Sequence, residues 1–259
     1  MVKLAKGPVN HRVEITSIRK FILDYLGFDI EGELQVADWL TFPQQKLLGI
    51  TTGEVFHDDI ELKAVREYFS WYPQDVWLYL LASVWQRIGQ EEHLMGRAGE
   101  AGSEIGSALI AARLVRDIMR LCFLMEKRYA PYAKWFGLAF TRLPCAAELN
   151  PVLEKVLQAK TWQGRDKWLA FAYEIATRMS NALGIMDKIP EQTSLFYDRP
   201  FRVIWAGKVA SKIINQIEDP VIKKTASRPL IGGIDLFNDN TDLLEDPAFQ
   251  KVLRRLFLI

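Results

Sequence analysis

Apolar residues recur at helical spacing through most of this chain. The pattern is strongest in residues 74–95 and 103–129, where side chains three and four positions apart form one apolar stripe in each segment. The first stripe contains Trp77, Leu81, Val84, Ile88 and Met95, and the second contains Ile110, Leu114, Ile118, Leu121 and Met125. We therefore predict two long helices joined by a turn over the glycine-rich residues 96–102, GRAGEAG.

Shorter helical patterns lie on both sides of this predicted hairpin. Glycine or proline bounds most of them, and we predict helices over residues 13–26, 61–69, 151–159, 166–183, 201–217 and 241–259, a helical piece opening at 38–43, and a restart after Pro131 through Phe140. Alternation typical of strands is almost absent, with short strands predicted only near 50–56 and 201–204. The predicted fold class is all-α, a helical bundle with additional helices packed at both ends.

The same pattern suggests three regions. Residues 1–70 form an N-terminal helical segment, residues 71–187 a central helical bundle, and residues 188–259 a C-terminal helical extension packed on the bundle. Residues 1–10 read as a short lead-in broken at Gly7-Pro8, and residues 223–240, with Gly232-Gly233, read as a mobile connection.

Composition limits the choice of partners. The chain has 259 residues, of which 49% are hydrophobic and 25% charged, as in ordinary soluble globular proteins. A formal net charge of +1 gives no electrostatic reason to expect nucleic acid or an anionic membrane as partner. No apolar run reaches the roughly 18 residues that span a bilayer, and the N-terminus has no signal-peptide core, so we expect a cytoplasmic protein without membrane contact. Cys122 and Cys145 have no metal or redox spacing and are expected to be reduced thiols.

Two carboxylates near the end of the first long helix are candidate catalytic groups. Glu91 falls on the apolar stripe, where burial would raise its pKa toward the range of a general base, and Glu92 is the next residue along. The alternative is that Glu91 pairs with a buried arginine and only stabilises the bundle. The sequence leaves both open.

Cationic side chains supply candidate substrate contacts. Arg113, Arg116 and Arg120 share one side of the second long helix with Asp117, where they could hold a phosphate or carboxylate or simply form a solvated face of paired charges. Further candidates are Arg87 on the first long helix, Arg97 at its end, and Tyr132 and Lys134 after the second long helix, although aromatic residues there also seal the ends of bundles.

Other motifs are weaker. His57 with Asp58 and Asp59 resembles a metal site, but adjacent side chains diverge and no second ligand cluster has metal spacing, so no metal is predicted. Arg87 and His93 are compatible with a loose arginine–histidine pattern of helical ribonucleases. No phosphate-binding loop, dinucleotide fingerprint or serine-hydrolase elbow is present in the sequence.

Ten segments in order carry a resemblance to one family of bacteria and archaea. They are residues 7–14 (GPVNHRVE), 37–44 (ADWLTFPQ), 53–58 (GEVFHD), 71–77 (WYPQDVW), 85–92 (WQRIGQEE), 96–100 (GRAGE), 112–117 (ARLVRD), 129–135 (YAPYAKW), 181–184 (NALG) and 199–201 (RPF). On these segments the chain resembles the family called domain of unknown function 4037, over nearly its whole length.

The resemblance implies a nucleotidyltransferase-like protein. Members of the family carry this helical region behind a catalytic head, and the helical region completes the cleft and can supply the base that activates an acceptor hydroxyl. The head's Gly-Ser followed by Asp-x-Asp is missing here, since Gly102-Ser103 and Gly106-Ser107 precede only Asp117. The resemblance therefore implies a substrate-side domain that binds no cofactor itself, and that uses nucleoside triphosphate and magnesium only if a head is supplied.

Three hypotheses follow, and whether the chain is an enzyme stays open. The first is a helical substrate-side domain of a nucleotidyltransferase-like protein, with a head domain and a small-molecule acceptor as partners. The second is a non-enzymatic module for binding or for forming a homodimer. The third is a helical ribonuclease that uses Arg87 and His93, although nucleic acid is not the expected partner.

Overall fold

The N-terminal part of the computed structural model, which describes residues 13–258, consists of short helices. They are α1 (Ile18–Leu26), α2 (Val36–Thr41), α3 (Gln44–Thr51) and α4 (Leu62–Tyr68). The first begins later than predicted because the Ser17 hydroxyl accepts a hydrogen bond from the Lys20 N–H and so caps it there. It ends at Gly27, whose φ of 74° is a left-handed conformation that glycine adopts without strain.

The two long helices form the centre of the molecule. α5 (Gln74–Glu100) and α6 (Glu104–Met125) pack side by side as a hairpin. The glycine-rich turn was predicted too long, because Gly96 and Gly99 belong to α5 and only the residues around Gly102 form the turn. A Cβ at Gly96 would overlap the Phe201 ring, and one at Gly99 would overlap the Trp162 indole. These glycines permit close packing and do not reverse the chain.

Three further helices cover one side of the hairpin. α7 (Ala133–Phe140) restarts the chain after Pro131 as predicted, and α8 (Ala146–Gln158) and α9 (Trp162–Ala182) pack against each other and against α6. α8 begins five residues earlier than predicted, and Pro151 lies inside it. Cys122 is buried and Cys145 partly buried, and both are free thiols.

A small hairpin of strands leads to the next helix. β1 (Ser194–Leu195) and β2 (Arg202–Val203) are antiparallel, with Ser194 opposite Val203. The strand predicted near 201–204 is thus confirmed, whereas residues 50–56 contain the end of α3 and a loop. α10 (Ala206–Ile214) packs closely on α5.

The C-terminal part returns to the N-terminal helices. It contains α11 (Pro220–Ala226), α12 (Ile234–Phe237), α13 (Thr241–Glu245), α14 (Pro247–Leu253) and a 3₁₀ turn (Arg254–Leu256). Residues 223–240, predicted to be a mobile connection, instead pack on the bundle, since Ile234 and Leu236 are buried. The tail docks as predicted: Lys46 donates hydrogen bonds to the carbonyls of Tyr25 at 2.8 Å and Glu245 at 2.6 Å.

One hydrophobic core runs through the described residues. It includes Ile22 of α1, Trp85 of α5, Leu114 of α6, Tyr173 of α9 and Ile213 of α10, all at most 1% exposed. The all-α fold class is confirmed, with helices packed at both ends of the central hairpin. Among residues 13–258, each helix is either too short or too polar to cross a bilayer. The predicted lead-in at residues 1–10 lies outside the described residues.

Candidate functional site

A cavity of about 210 Å³ lies beside the half of the hairpin where α5 begins and α6 ends. Residues of α2, α3, α7, α12 and α13, and the segments joining them, enclose its other sides. Apolar and aromatic side chains form most of its lining, among them Trp39, Phe42, Tyr72, Leu80, Phe136 and Leu236. Such a lining with a few polar groups is typical of small-molecule sites.

The polar wall of the cavity joins α6 to the C-terminal segment. Arg116 and Arg120 project from one face of α6, one turn apart, and both meet Asp239. The Arg116 Nη1 lies 2.8 Å from one carboxylate oxygen of Asp239, and the Arg120 Nη2 lies 3.3 Å from the other. Burial alone would raise the pKa of Asp239, but the hydrogen bonds and charges of the two guanidinium groups outweigh it and lower that pKa.

A second carboxylate, Asp235, lies on the same wall. It accepts a hydrogen bond of 3.0 Å from the backbone N–H of Gln44, the first residue of α3, so it joins α12 to the start of that helix. Burial raises the pKa of Asp235 to about 6, although this hydrogen bond and the charge of Arg120 act in the opposite direction. A carboxyl group with that pKa can accept or hold a proton near neutral pH.

Behind the arginines, two ion pairs connect the helices of the hairpin. Arg113 binds Glu91, and the Arg87 Nε lies 3.0 Å from a carboxylate oxygen of Asp117, whose side chain has no solvent exposure. Arg120 also approaches Asp117, at 3.7 Å. Burial raises the pKa of Asp117 despite the surrounding arginines. Through these ion pairs, Glu91, Arg87 and Arg113 make contacts within the bundle and do not reach the cavity.

Glu92 has a different structural role. Its two carboxylate oxygens accept the backbone N–H groups of Ile204 at 2.7 Å and Ala206 at 3.0 Å, at the start of α10. The side chain of the N-cap residue of that helix, Trp205, accepts no hydrogen bond from the first turn, so Glu92 provides the missing acceptor from α5. Burial raises the pKa of Glu92 to about 7, even though these N–H groups favour the charged form.

The predicted site residues therefore separate into two groups. Those that line the cavity are Arg116, Arg120 and Tyr132, with Asp117 directly behind them. Those that lie outside it are Arg87, Glu91, Glu92, Arg97, Arg113 and Lys134. Of the second group, Arg97 is exposed on α5, and the Lys134 ammonium lies over the Trp135 ring at 4.9 Å from its centre.

Asp235, Asp239 and Gln44 were missed as site residues. Asp235 and Asp239 lie more than a hundred residues after α6, and Gln44 lies before the hairpin. No local spacing therefore connects them to Arg116 and Arg120. The only local signal is an acidic residue just after Gly232-Gly233 and before apolar residues, which is typical of a helix start and not of a site.

The histidine motifs do not form sites. His57 is exposed and its Nε2 lies 2.6 Å from Asp59. In residues 13–258, no group of three or more His, Cys, Asp or Glu side chains is arranged to hold a metal ion. His93 stacks on Phe196, with ring centres 4.8 Å apart, whereas Arg87 points to Asp117 and to the carbonyl of Leu236. The two residues of the ribonuclease hypothesis thus face different elements.

A known protein family matches the part of the chain that contains the hairpin. Residues 39–136 match the model of the family described as Domain of unknown function (DUF4037). Searches of curated proteins and of solved structures each returned no match. The DUF4037 match runs from α2 to the start of α7, and so includes Trp39, Tyr72, Arg116, Arg120 and Tyr132 of the cavity. It leaves out the C-terminal segment that contributes Asp235 and Asp239.

Proposed function

We propose that this chain is the helical substrate-side region of a nucleotidyltransferase-like protein, and that its cavity binds the small molecule that accepts the nucleotide. The observation that carries the proposal is the cavity of about 210 Å³, with an aromatic lining and a wall of arginine and aspartate. The DUF4037 match supports the family resemblance, and the nucleotidyltransferase-like context is what that resemblance implies.

The enclosure supports binding of a small molecule. Apolar side chains form most of the lining. The polar groups lie together on one wall, where they can fix the orientation of a ligand. Arg116 and Arg120 offer charged donors, and Gln44 and Asp235 add polar groups from other elements. Side chains from helices far apart in sequence thus define a single binding position.

Asp235 is the carboxylate best placed to act on a hydroxyl group in the cavity. Its pKa of about 6 leaves it mostly ionised at neutral pH, yet basic enough to hold a proton taken from an acceptor. Glu91 and Glu92, the candidates from sequence, are occupied by Arg113 and by the start of α10. We therefore assign the role of proton acceptor to Asp235.

Metal chemistry is not assigned to this chain. Under this proposal, the residues that bind nucleoside triphosphate and magnesium are those of a nucleotidyltransferase-like head. What the chain contributes under this proposal is binding and orientation of the acceptor and a position for its proton.

The test uses a homologue in which a head with Gly-Ser and Asp-x-Asp precedes the same helical region. It is incubated with magnesium, α-labelled nucleoside triphosphate and a small-molecule extract, and labelled products are measured. Substitutions matching Val84→Trp, which fills the cavity, and Arg120→Gln should reduce labelling at least tenfold, while Arg97→Gln on the exposed face of α5 should not. Thermal unfolding shows that each variant is folded. Unchanged labelling with the cavity filled, or no labelled acceptor from the unmodified homologue, would exclude the proposal.

One observation favours a second function, that of a non-enzymatic association module. Ile105, Ala108, Leu109 and Ala112 form an exposed apolar stripe on α6, with Ile105 76% and Leu109 64% exposed. Such a stripe at spacings of three and four is what a partner helix or a second copy would cover. Sedimentation velocity tests it: a dimer that Leu109→Lys disrupts would support association, and a monomer at all concentrations would exclude self-association.

A further inference from the structure

The strongest clue to the ligand of the cavity is the position of Asp239. Its two carboxylate oxygens contact two different guanidinium groups, at 2.8 Å from Arg116 and 3.3 Å from Arg120. This is how a bound carboxylate or phosphate bridges two arginines. The side chain of Asp239 is 62% exposed, whereas that of Arg120 is only 17% exposed. With Arg116 33% exposed, the anion at this position is more accessible to solvent than either arginine that holds it.

The arginines have more capacity to bind than Asp239 uses. The Arg116 Nε is buried and has no hydrogen-bond partner, and the buried Arg120 Nη1 makes no hydrogen bond and has only the longer contact of 3.7 Å with Asp117. Burial and the neighbouring charge of Arg116 lower the pKa of Arg120, even though Asp117, Asp235 and Asp239 oppose this. Two guanidinium groups in a partly buried wall are stabilised by an anion with several acceptor oxygens.

The size of the cavity limits the rest of the ligand. An engineered apolar cavity of about 150 Å³ accommodates one benzene ring. The present cavity of about 210 Å³ therefore holds a single ring with one substituent the size of a carboxylate or phosphate. Trp39, Tyr72 and Phe136 supply the aromatic contacts for such a ring.

From these observations we infer that the cavity recognises a small single-ring molecule that carries a carboxylate or a phosphate, and that this anionic group replaces Asp239 on Arg116 and Arg120. The inference rests on the binding cavity of the proposed function and names the class of molecule that it accepts. Asp239 then acts as an internal competitor, because its carboxylate occupies the position of the ligand's anion.

Ligand-observed saturation-transfer NMR on the full chain tests the inference, since it detects millimolar binding. The probes are benzoate and phenyl phosphate, with benzamide as the neutral analogue, benzylamine as the cationic analogue and methyl phosphate as the anion without a ring. Benzoate or phenyl phosphate should bind at least tenfold more tightly than benzamide and benzylamine. The stronger of the two anions distinguishes a carboxylate ligand from a phosphate ligand.

Variants then locate the site. Asp239→Asn should tighten binding of the preferred anion several-fold, because it removes the competing charge, and Arg116→Gln with Arg120→Gln should abolish binding. Arg113→Gln, one turn earlier on α6 and paired with Glu91, is the control and should leave affinity unchanged. If benzamide or benzylamine binds as well as the anions, or if Asp239→Asn weakens anion binding, the inference is wrong.

The two proposals can fail separately. Binding of the probes is measured on this chain alone and needs no nucleotide transfer. Anion binding without any labelled acceptor in the homologue would remove the nucleotidyltransferase role and keep the ligand class. Labelling of a cationic or neutral acceptor that depends on the cavity would do the reverse.

Discussion

The two halves of the α5–α6 hairpin carry similar arginines and carboxylates but use them differently. In the closed half, α9, α10 and β2 pack against the helices, and Glu92 and Gly96 are in contact with elements that follow α9. In the open half, the covering elements are short helices from both ends of the chain, and they leave a cavity beside Arg116 and Arg120. Asp117 lies at the boundary. The difference shows that the elements covering a charged helix face decide whether its side chains form internal contacts or line a cavity.

The largest change in unfolding free energy is expected for a substitution of Asp117, at the boundary between the two halves. Its side chain is completely buried and is paired with Arg87 and Arg120. Asp117→Asn leaves Arg87 without its carboxylate partner and Arg120 with Asp239 alone, and loss of one partner of a buried ion pair costs about 3–5 kcal/mol of unfolding free energy. Urea denaturation measures it. Asp239→Asn removes an exposed partner of the same Arg120 and should cost at most about 1 kcal/mol. Equal losses would mean that the two carboxylates are not in different environments.

A pH effect of about 2 kcal/mol is expected from Glu92 in the closed half. Its pKa rises from 4.5 to about 7 on folding, so the folded state binds more protons than the unfolded state between these values. The unfolding free energy should therefore be higher at pH 5 and fall as the pH rises to 8, by about 2 kcal/mol from this group.

Glu92→Gln isolates that contribution. The amide keeps one oxygen acceptor for the N–H groups of Ile204 and Ala206 but does not titrate. The variant should lose most of the decline in stability between pH 5 and pH 8. Asp166 and Asp235, each with a pKa raised to about 6 mainly by burial, should leave a residual decline of the same sign. A variant with the full slope of the original chain would show that Glu92 is not the titrating group.

A packing effect of about 1–3 kcal/mol is expected at Gly96. Alanine there would place a methyl group against the Phe201 ring, and overpacking of this kind costs about 1–3 kcal/mol. Gly137 of α7 is the matched control, since nothing lies near its added methyl group and alanine is the better helix former by roughly 0.5–1 kcal/mol. Thermal unfolding should show opposite signs for Gly96→Ala and Gly137→Ala, and two stabilising substitutions would contradict close packing at Gly96.

The comparison also explains what could be predicted from the sequence. Helical periodicity identified the hairpin, the restart after Pro131 and the docked tail, because burial on one face produces those patterns locally. It misread Gly96 and Gly99 as a turn, since a glycine that permits close approach and one that reverses the chain have the same signature. The distant side chain that packs on each glycine decides between them, the Phe201 ring for Gly96 and the Trp162 indole for Gly99.

The site was predicted only on one side for the same reason. Arg116 and Arg120, which line the cavity, were candidates because both lie on one helix face, and Glu91 was correctly expected to be buried. The cavity also needs Asp235 and Asp239, which no spacing connects to α6. The segment predicted to be mobile from its glycines instead forms part of the polar wall, because Ile234 and Leu236 are buried and hold it against the bundle.

The smallest effect concerns the tolerance of each half to a larger side chain. Val84 lines the cavity in the open half, so Val84→Leu can extend into open space and should change the unfolding free energy by no more than about 0.5 kcal/mol. Ala111 of α6 is 1% exposed, lies outside the cavity lining and has no comparable space, so Ala111→Val should cost about 1–3 kcal/mol. Urea denaturation of the two variants compares the halves directly. If Val84→Leu destabilised as much as Ala111→Val, the cavity would not be available to an added methylene, and a ring-sized ligand could not enter it.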